Sequence, residues 1–250
     1  MTSGNAYTVT LIGAGRMGTL IAQALEADGS FAVTGTYDVD SASQLDVDAP
    51  TADLAIDFSN RAALPHTLAY VRRTGCALLS GTTGYSDEEL AQIRALGEKS
   101  AVIHSANYSL GVAVLRRVTA EAARALAGWD VEIVETHHNQ KADAPSGTAN
   151  MLLDAVDPGH EADVVYGREG MVGARPQGQI GIHSLRGGTV AGTHEVHFFG
   201  TDEELCLTHR ATSRQIFVNG AVAAARRLVT KGPGFYTFDQ LMFGDEPLNR

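Results

Sequence analysis

The sequence predicts an α/β protein: an N-terminal Rossmann-type doubly wound parallel sheet, followed by a C-terminal α+β domain with an open mixed sheet. Three observations predict it. Through about residue 105, short apolar runs alternate with segments of helical spacing, the pattern of parallel strands joined by crossover helices. A G-x-G-x-x-G run follows the first strand-like segment and opens the first helical one. After Tyr108, strand-like runs follow one another more closely, as in an open mixed or antiparallel sheet. The expected division is residues 1–108 with 219–250 as a dinucleotide-binding domain, and 109–218 as a second domain that carries the substrate site.

Taken in order, Tyr7–Ile12 is an apolar run that stops at Gly13. Arg16–Ala27 places Met17, Leu20, Ile21, Ala24 and Leu25 at helical spacing, and Gly29 ends it. Phe31–Tyr37 and Leu54–Asp57 read as the second and third strands. The acidic stretch between them, Asp38–Asp53, has little helical pattern and is just long enough for a crossover. Ala62–Arg73 is a helix closed by Gly75, and Ala77–Ser80 a fourth strand. Ser86 and Glu89 form a capping-box pattern for the next helix, before a fifth strand at Ala101–Ser105. In the second half, Leu110–Leu126 reads as a long helix, Val131–His137 as a strand and Gly147–Val156 as a helix. A glycine-rich loop, Gly167–Gly192, holds a strand at Gln179–Leu185. Strands at Val190–Phe199 and Leu205–Ala211 and a helix at Ile216–Val229 follow, then Gly232-Pro-Gly and a short tail.

Composition narrows the function. Apolar residues make up 44% of the 250, enough for a real core, and no apolar run approaches the roughly 18 residues of a membrane helix. The net charge of −10, without a Lys/Arg cluster, argues against nucleic acid as a partner. Met1–Tyr7 is too short and polar for a secretory signal. The two cysteines, Cys76 and Cys206, read as reduced core thiols, so a cytoplasmic location is expected.

The glycine run is Gly13-Ala14-Gly15-Arg16-Met17-Gly18. Gly13 permits the tight turn, Gly15 lets the backbone approach a pyrophosphate, and Gly18 lets helix and strand pack closely. The helix N-terminus then offers N–H groups and the positive end of its dipole to the phosphates. Asp38, at the end of the second strand, is placed to accept both ribose hydroxyls and to repel a 2′-phosphate. NADH is the expected cofactor; Arg16, able to meet a phosphate, leaves NADPH as a second one. Strands four and five end in Gly81-Thr82-Thr83-Gly84 and Ser105-Ala106-Asn107-Tyr108. Ligands of open sheets bind beyond the carboxyl ends of strands, so both turns are cofactor candidates.

The densest polar cluster is Glu135-Thr-His-His-Asn-Gln-Lys-Ala-Asp-Ala-Pro-Ser-Gly-Thr148. Pro145-Ser146-Gly147-Thr148 opens a helix, whose first N–H groups can hold a carboxylate. His137, His138 and Lys141 supply positive charge and transferable protons just before it. Hydride addition to a conjugated C=C–C=N system leaves negative charge, which such an acid can quench. No metal site is expected, because adjacent histidines on an extended segment point opposite ways. The same holds for His194 and His197 of His194-Glu-Val-His197, which is not H-E-x-x-H. Ser146 lacks the strand–elbow context of a nucleophile.

The segment E-T-H-H-N-Q-K-A-D-A-P-S-G-T-A resembles the signature of the 4-hydroxy-tetrahydrodipicolinate reductase (dihydrodipicolinate reductase) family of the diaminopimelate–lysine pathway. Similar blocks cover nearly the whole chain: Gly15-Arg-Met-Gly18, Ile56-Asp-Phe-Ser59, Gly81-Thr-Thr-Gly84, Ala106-Asn-Tyr-Ser109, Arg168-Glu-Gly170, Gly178-Gln-Ile-Gly181, Arg186-Gly-Gly188 and His209-Arg-Ala-Thr-Ser-Arg214. The resemblance implies reduction of 4-hydroxy-tetrahydrodipicolinate by NAD(P)H. It implies His137 as proton donor and acceptor, Lys141 as proton donor and His138 as a substrate ligand. It implies Gly147 and Thr148 as the binders of a substrate carboxylate, and cofactor contacts from Gly81–Thr83 and Ser105–Tyr108. It also implies a small dicarboxylate substrate and a homotetramer whose second-domain sheets meet at the centre. Domain closure would bring the Gly81–Gly84 turn to His137 and Lys141. Two departures stand out. The glycine loop is one residue shorter than is usual in the family, and Val39 takes the place of its frequent basic residue beside the acid, which supports NADH. Two other readings use the same residues: another dehydrogenase of amino-acid-like substrates, and a dinucleotide sensor with no need of His137, His138 and Lys141.

Overall fold

The computed structural model describes residues 6–244. The polar start of the chain and the last residues of the expected first domain lie outside them. Two compact units result: one runs through Ser109 and resumes at Gln215, and the other is Leu110–Arg214. Among the described residues no helix is long and apolar enough to cross a membrane.

The first unit contains β1 (Tyr7–Ile12), α1 (Arg16–Asp28), β2 (Phe31–Tyr37), α2 (Gln44–Val47), β3 (Leu54–Asp57), α3 (Leu64–Thr74), β4 (Ala77–Ser80), α4 (Asp87–Ala95) and β5 (Ala101–His104). The second contains α5 (Leu110–Ala125), β6 (Asp130–His137), α6 (Gly147–Val156), β7 (Val164–Val165), β8 (Ile180–Arg186), β9 (Gly192–Phe199) and β10 (Glu204–Ala211). The chain then returns to the first unit with α7 (Gln215–Leu228), β11 (Gly234–Tyr236) and α8 (Phe238–Phe243).

The first sheet has the order β11-β5-β4-β3-β1-β2, and every pairing is parallel. β3 and β4 are buried at every position, as strands covered on both faces must be. Their Ala55 and Leu78 pack with Ile12, Leu68, Tyr70 and Val102. Gly29 and Gly75 end α1 and α3 in the left-handed conformation, each with φ of 71°. Ser86 and Glu89 form the capping box that opens α4.

The second sheet has the order β10-β9-β6-β8-β7; β6 runs parallel to β8 and antiparallel to β9. Burial along β6 alternates, so this sheet has one core face and one open face. Val131, Ile133, Ile180, Ile182, Val196 and Phe198 form the core face and pack with Leu115 of α5 and Leu152 of α6. Phe198 is fully buried, a burial that stabilises this unit by about 1.5–3 kcal/mol.

Four features depart from the sequence expectations. The Asp38–Asp53 crossover does contain a helix, the single turn α2, too short to leave a periodic pattern. β7 is a two-residue strand that exists only through its pairing with β8. The tail after Gly232 holds β11 and α8; β11 draws its structure from parallel pairing with β5 rather than from local propensity. Cys206 is not a core thiol. It is exposed, because Leu207 and Val196 take the core face and the period-2 alternation turns Cys206 outward.

Candidate active site

Parallel register carries the strand ends of the first unit to one edge. Ile12 aligns with Tyr37 and with Asp57, Asp57 with Ser80, and Ser80 with His104. The residues that follow, Gly13, Asp38, Phe58, Gly81 and Ser105, therefore stand side by side beyond the carboxyl ends, where open sheets bind ligands.

Three glycines behave differently there. Gly13 has φ of +110°, and a Cβ on it would lie 2.4 Å from the Phe58 carbonyl oxygen. A Cβ on Gly18 would lie 1.8 Å from the carbonyl oxygen of Gly13, so helix and strand touch at that point. A Cβ on Gly15 would meet nothing within 4 Å, so the backbone is open to close approach. Gly15 is also the N-cap of α1 and provides no side-chain cap, so the first N–H groups of the helix fit an anionic dinucleotide. Ala14 and Arg16 are exposed beside it, and Met17 is half-buried.

Asp38 is exposed at the end of β2. Its Oδ1 accepts from Ser41 N (3.1 Å), Ser41 Oγ (2.8 Å) and Asp40 N (3.1 Å), and the Ser41 hydroxyl first of all holds the carboxyl below the usual range. Thr82 and Tyr108 are structural in their side chains. Thr82 Oγ1 donates to Asp57 Oδ1 at 2.9 Å and accepts from Ser59 N at 2.9 Å. The Tyr108 hydroxyl donates to Ser80 O at 2.7 Å, with its ring between Phe58 and Phe238. Ser105 Oγ donates to Asn107 O at 2.7 Å and shapes the turn, while Ala106 and Thr83 are exposed.

Asp57 joins these turns. It is 1% exposed, yet its carboxylate accepts from Ser59 N (3.2 Å), Ser59 Oγ (2.5 Å), Ser80 Oγ (3.1 Å), Thr82 Oγ1 (2.9 Å) and Tyr85 OH (3.1 Å). All the donors are neutral hydroxyl or amide groups from the β3 and β4 ends, so one carboxylate organises both.

In the second unit the hub is Glu135, with no exposed surface. Its Oε2 lies 2.6 Å from His137 Nδ1, two residues along the same strand face. Its Oε1 accepts the Ser146 N–H at 3.1 Å, and Arg186 donates to both oxygens at 2.9 and 2.8 Å. Burial alone would raise this carboxyl, but the hydrogen bonds of Arg186, His137 and Ser184 outweigh it and hold the group at about 2. The ionised carboxylate fixes the proton of His137 on Nδ1 and turns Nε2 outward. That nitrogen faces Gly192, where a Cβ would lie 3.0 Å away. Arg186 also donates to Asp143 O at 2.7 Å, tying the Lys141–Ser146 loop to β8.

Ser146 is buried and fully used. Its N–H goes to Glu135, and its Oγ accepts from Ala149 N at 3.2 Å as the cap of α6. The same Oγ lies 3.1 Å from His194 Nε2, an arrangement in which the hydroxyl donates to a neutral imidazole. Burial first, then His137, pushes His194 down to about 4, and its ring stands edge-on to that of His137 at 5.1 Å. Gly147 and Thr148 start the helix just beyond, with nothing within 4 Å of a Cβ on Gly147. His138 has a buried Nδ1 with no partner among the described residues. Lys141 Nζ is paired with Asp143 at 2.7 and 2.8 Å.

Thus His137 and Ser146 meet through Glu135, with Lys141 on the same loop, whereas Ser146 is a capping residue rather than an open ligand. Glu135, Arg186 and His194 organise the cluster of the second unit and Asp57 that of the first, and none of the four was named as a site residue from sequence. The i, i+2 spacing of Glu135 and His137 was the available signal; the others depend on strand register. A cavity of about 430 Å³ lined by Val71, Gly75 and Ser100 lies at the opposite, amino-terminal end of the first sheet and plays no part in this site.

Residues 7–108 match the family model for the dihydrodipicolinate reductase N-terminus, and residues 111–242 the model for its C-terminus. The chain belongs to the dihydrodipicolinate reductase family. It is 42% identical over 240 residues to the 4-hydroxy-tetrahydrodipicolinate reductase of Staphylococcus aureus, covering 93% of this chain and 99% of that one. The enzyme of that name from Akkermansia muciniphila is 41% identical over 233 residues, covering 91% and 94%. Among solved structures, a dipicolinate-bound dihydrodipicolinate reductase from Paenisporosarcina sp. TG-14 has the same fold, with a TM-score of 0.75 at 21% identity over 95% of this chain and 100% of that one. Both family models cover the clusters just described: the strand-end turns around Asp57 lie in the N-terminal match, and the Glu135 hub in the C-terminal dihydrodipicolinate reductase match.

Proposed function

We propose that this chain reduces 4-hydroxy-tetrahydrodipicolinate to tetrahydrodipicolinate in diaminopimelate and lysine biosynthesis, with NADH as preferred donor and NADPH as a second one. The observation that carries this reading is the double use of Glu135, which holds His137 at 2.6 Å and the Ser146 N–H at 3.1 Å. One buried carboxylate thereby links a proton-handling imidazole to the start of an anion-holding helix.

A bound nicotinamide supplies the hydride. Gly13–Gly18 and the α1 N-terminus would hold its pyrophosphate, Asp38 its ribose hydroxyls, and the turns at Gly81–Thr83 and Ser105–Tyr108 its nicotinamide half. In the second unit, the N–H groups of Gly147 and Thr148 hold one substrate carboxylate. His138, whose Nδ1 has no partner among the described residues, takes another polar group of the substrate. As water leaves and hydride arrives, negative charge develops on the ring. Lys141 supplies the proton that quenches it, and His137 exchanges protons through Nε2. Asp143 holds the Lys141 ammonium in position until substrate arrives.

We infer a homotetramer assembled through the open face of the second sheet, where Phe199 and Leu185 are 39% and 48% exposed. The free thiols Cys76 and Cys206 fit a cytoplasmic location.

The test follows NADH oxidation with substrate generated from aspartate semialdehyde and pyruvate by the preceding synthase, against aspartate semialdehyde alone. Turnover requires the synthase product, and Lys141→Ala loses most of kcat while cofactor affinity is nearly kept. Turnover of the variant at the wild-type rate removes the assignment.

A further inference from the structure

The open face of the second sheet carries a cluster that the reductase chemistry does not use. In the antiparallel pairing of β9 with β10, Cys206 stands directly opposite His197 and Glu204 opposite Phe199. Alternation puts all four side chains on the same side of the sheet. His197 Nδ1 lies 2.5 Å from Glu204 Oε1, and the imidazole stacks on Phe199 with centroids 5.8 Å apart and planes 6° apart. The ring is therefore held from two directions. Its other nitrogen, Nε2, lies 3.9 Å from Cys206 Sγ, and one donor atom from each of His197, Glu204 and Cys206 falls within 4.8 Å of the others.

This arrangement has the chemistry of a metal chelate. A carboxylate on Nδ1–H fixes the tautomer that leaves the Nε2 lone pair free, the usual outer partner of a metal-bound histidine. Nitrogen and sulfur ligands bind zinc at about 2.0–2.1 and 2.3 Å, so donors 3.9 Å apart can share one ion at an angle of about 125–130°, and an approach of about 0.3 Å brings it to the tetrahedral value. A thiolate with an imidazole favours zinc, cobalt or copper over magnesium or calcium, which prefer oxygen. We propose that His197 and Cys206 bind one soft or borderline divalent cation per chain, with Glu204 orienting the imidazole. The inference is independent of the reductase assignment, since none of the three residues belongs to that site.

Cobalt(II) alone is the probe. Metal-free, untagged protein is titrated anaerobically in a non-thiol reductant, once as assembled and once after refolding with the ion, because the inferred tetramer covers this face. Binding gives sulfur-to-cobalt charge-transfer absorption that saturates at one equivalent per chain and is displaced by zinc. Cys206→Ser abolishes that absorption. The attribution is clean because the only other cysteine, Cys76, is buried in the first unit. His197→Gln weakens binding, and Glu204→Gln weakens it by about tenfold or more. Absence of the absorption from wild-type protein in both preparations overturns the proposal whatever the variants do. Its persistence in Cys206→Ser overturns it as well, and unchanged affinity in Glu204→Gln removes the orienting role.

Discussion

A Cβ placed on Gly192 would lie 3.0 Å from His137 Nε2, the ring nitrogen that does not contact Glu135. Gly192 also has φ of +152°, a conformation that costs a residue with a side chain of order 1–3 kcal/mol. Gly192→Ala should therefore obstruct the reacting edge of His137 and lower kcat by about tenfold or more, equivalent to ~1.4 kcal/mol. Steady-state kinetics check it: the KM for NADH should stay near the wild-type value, because the cofactor turns lie in the other unit.

Glu135→Gln keeps the shape of the hub and removes its charge. Arg186 then keeps its half-buried guanidinium beside a neutral amide, and His137 loses its charged partner. Breaking a fully buried pair from one side costs about 3–5 kcal/mol, an upper bound for this pair because the Arg186 side chain is 21% exposed. The expected result is a lower urea midpoint together with a kcat loss as large as that of a His137→Gln variant. Measured together, the two variants should be far from additive, since they break the same hydrogen bond.

His194 makes stability depend on pH in a defined direction. In the unfolded chain it takes up a proton below its ordinary 6.5; in the fold, burial delays this to about 4. Its contribution is fully present above pH 6.5 and is lost between 6.5 and 4, on the order of 3 kcal/mol. Glu135 acts in the same sense lower down, with stability present above its ordinary 4.5 and lost as pH falls toward about 2. Urea unfolding across this range should show stability falling from pH 6.5 downward. His194→Gln should flatten the first part of that fall, with a residual slope from His209, which burial also lowers.

Asp57→Asn turns one acceptor oxygen of the buried carboxylate into a donor facing hydroxyl groups that already donate. The strand-end turns lose their common anchor. The KM for NADH should rise by about tenfold while kcat at saturating cofactor changes less, as a positioning residue of the cofactor half requires. A purely global destabilisation would instead lower the active fraction and leave KM unmoved.

Asp38→Gly should raise kcat/KM for NADPH relative to NADH, because it removes the charge that repels a 2′-phosphate. Initial rates with the two cofactors, for wild type and variant, check the direction.

Most of the scaffold was legible because its signals are local. Gly13, Gly29 and Gly75 mark turns that only their backbone freedom allows, and Ser86 with Glu89 marks a helix start within four residues. The candidate catalytic segment stands out in the sequence because His137, Lys141 and Gly147 are close in the chain. What escaped depends on pairing at a distance. Arg186 reaches Glu135 from the end of the neighbouring strand β8, and His194 reaches Ser146 from β9, so neither partnership has a sequence spacing to read. β11 escaped for the same reason: three residues become a strand only when β5 is alongside. Cys206 was misplaced inward because its leucine neighbours suggested a core strand, whereas alternation sends it to the other face.

The return of the chain to β5 has a consequence for synthesis. Gly234 pairs with Ala101, with the whole second unit between them. While that unit is being made on the ribosome, β5 is an uncovered sheet edge, a template for pairing with another nascent chain. The early sheet is thus most exposed to misassembly until β11 emerges, and a premature stop before Gly234 would leave that edge permanently open.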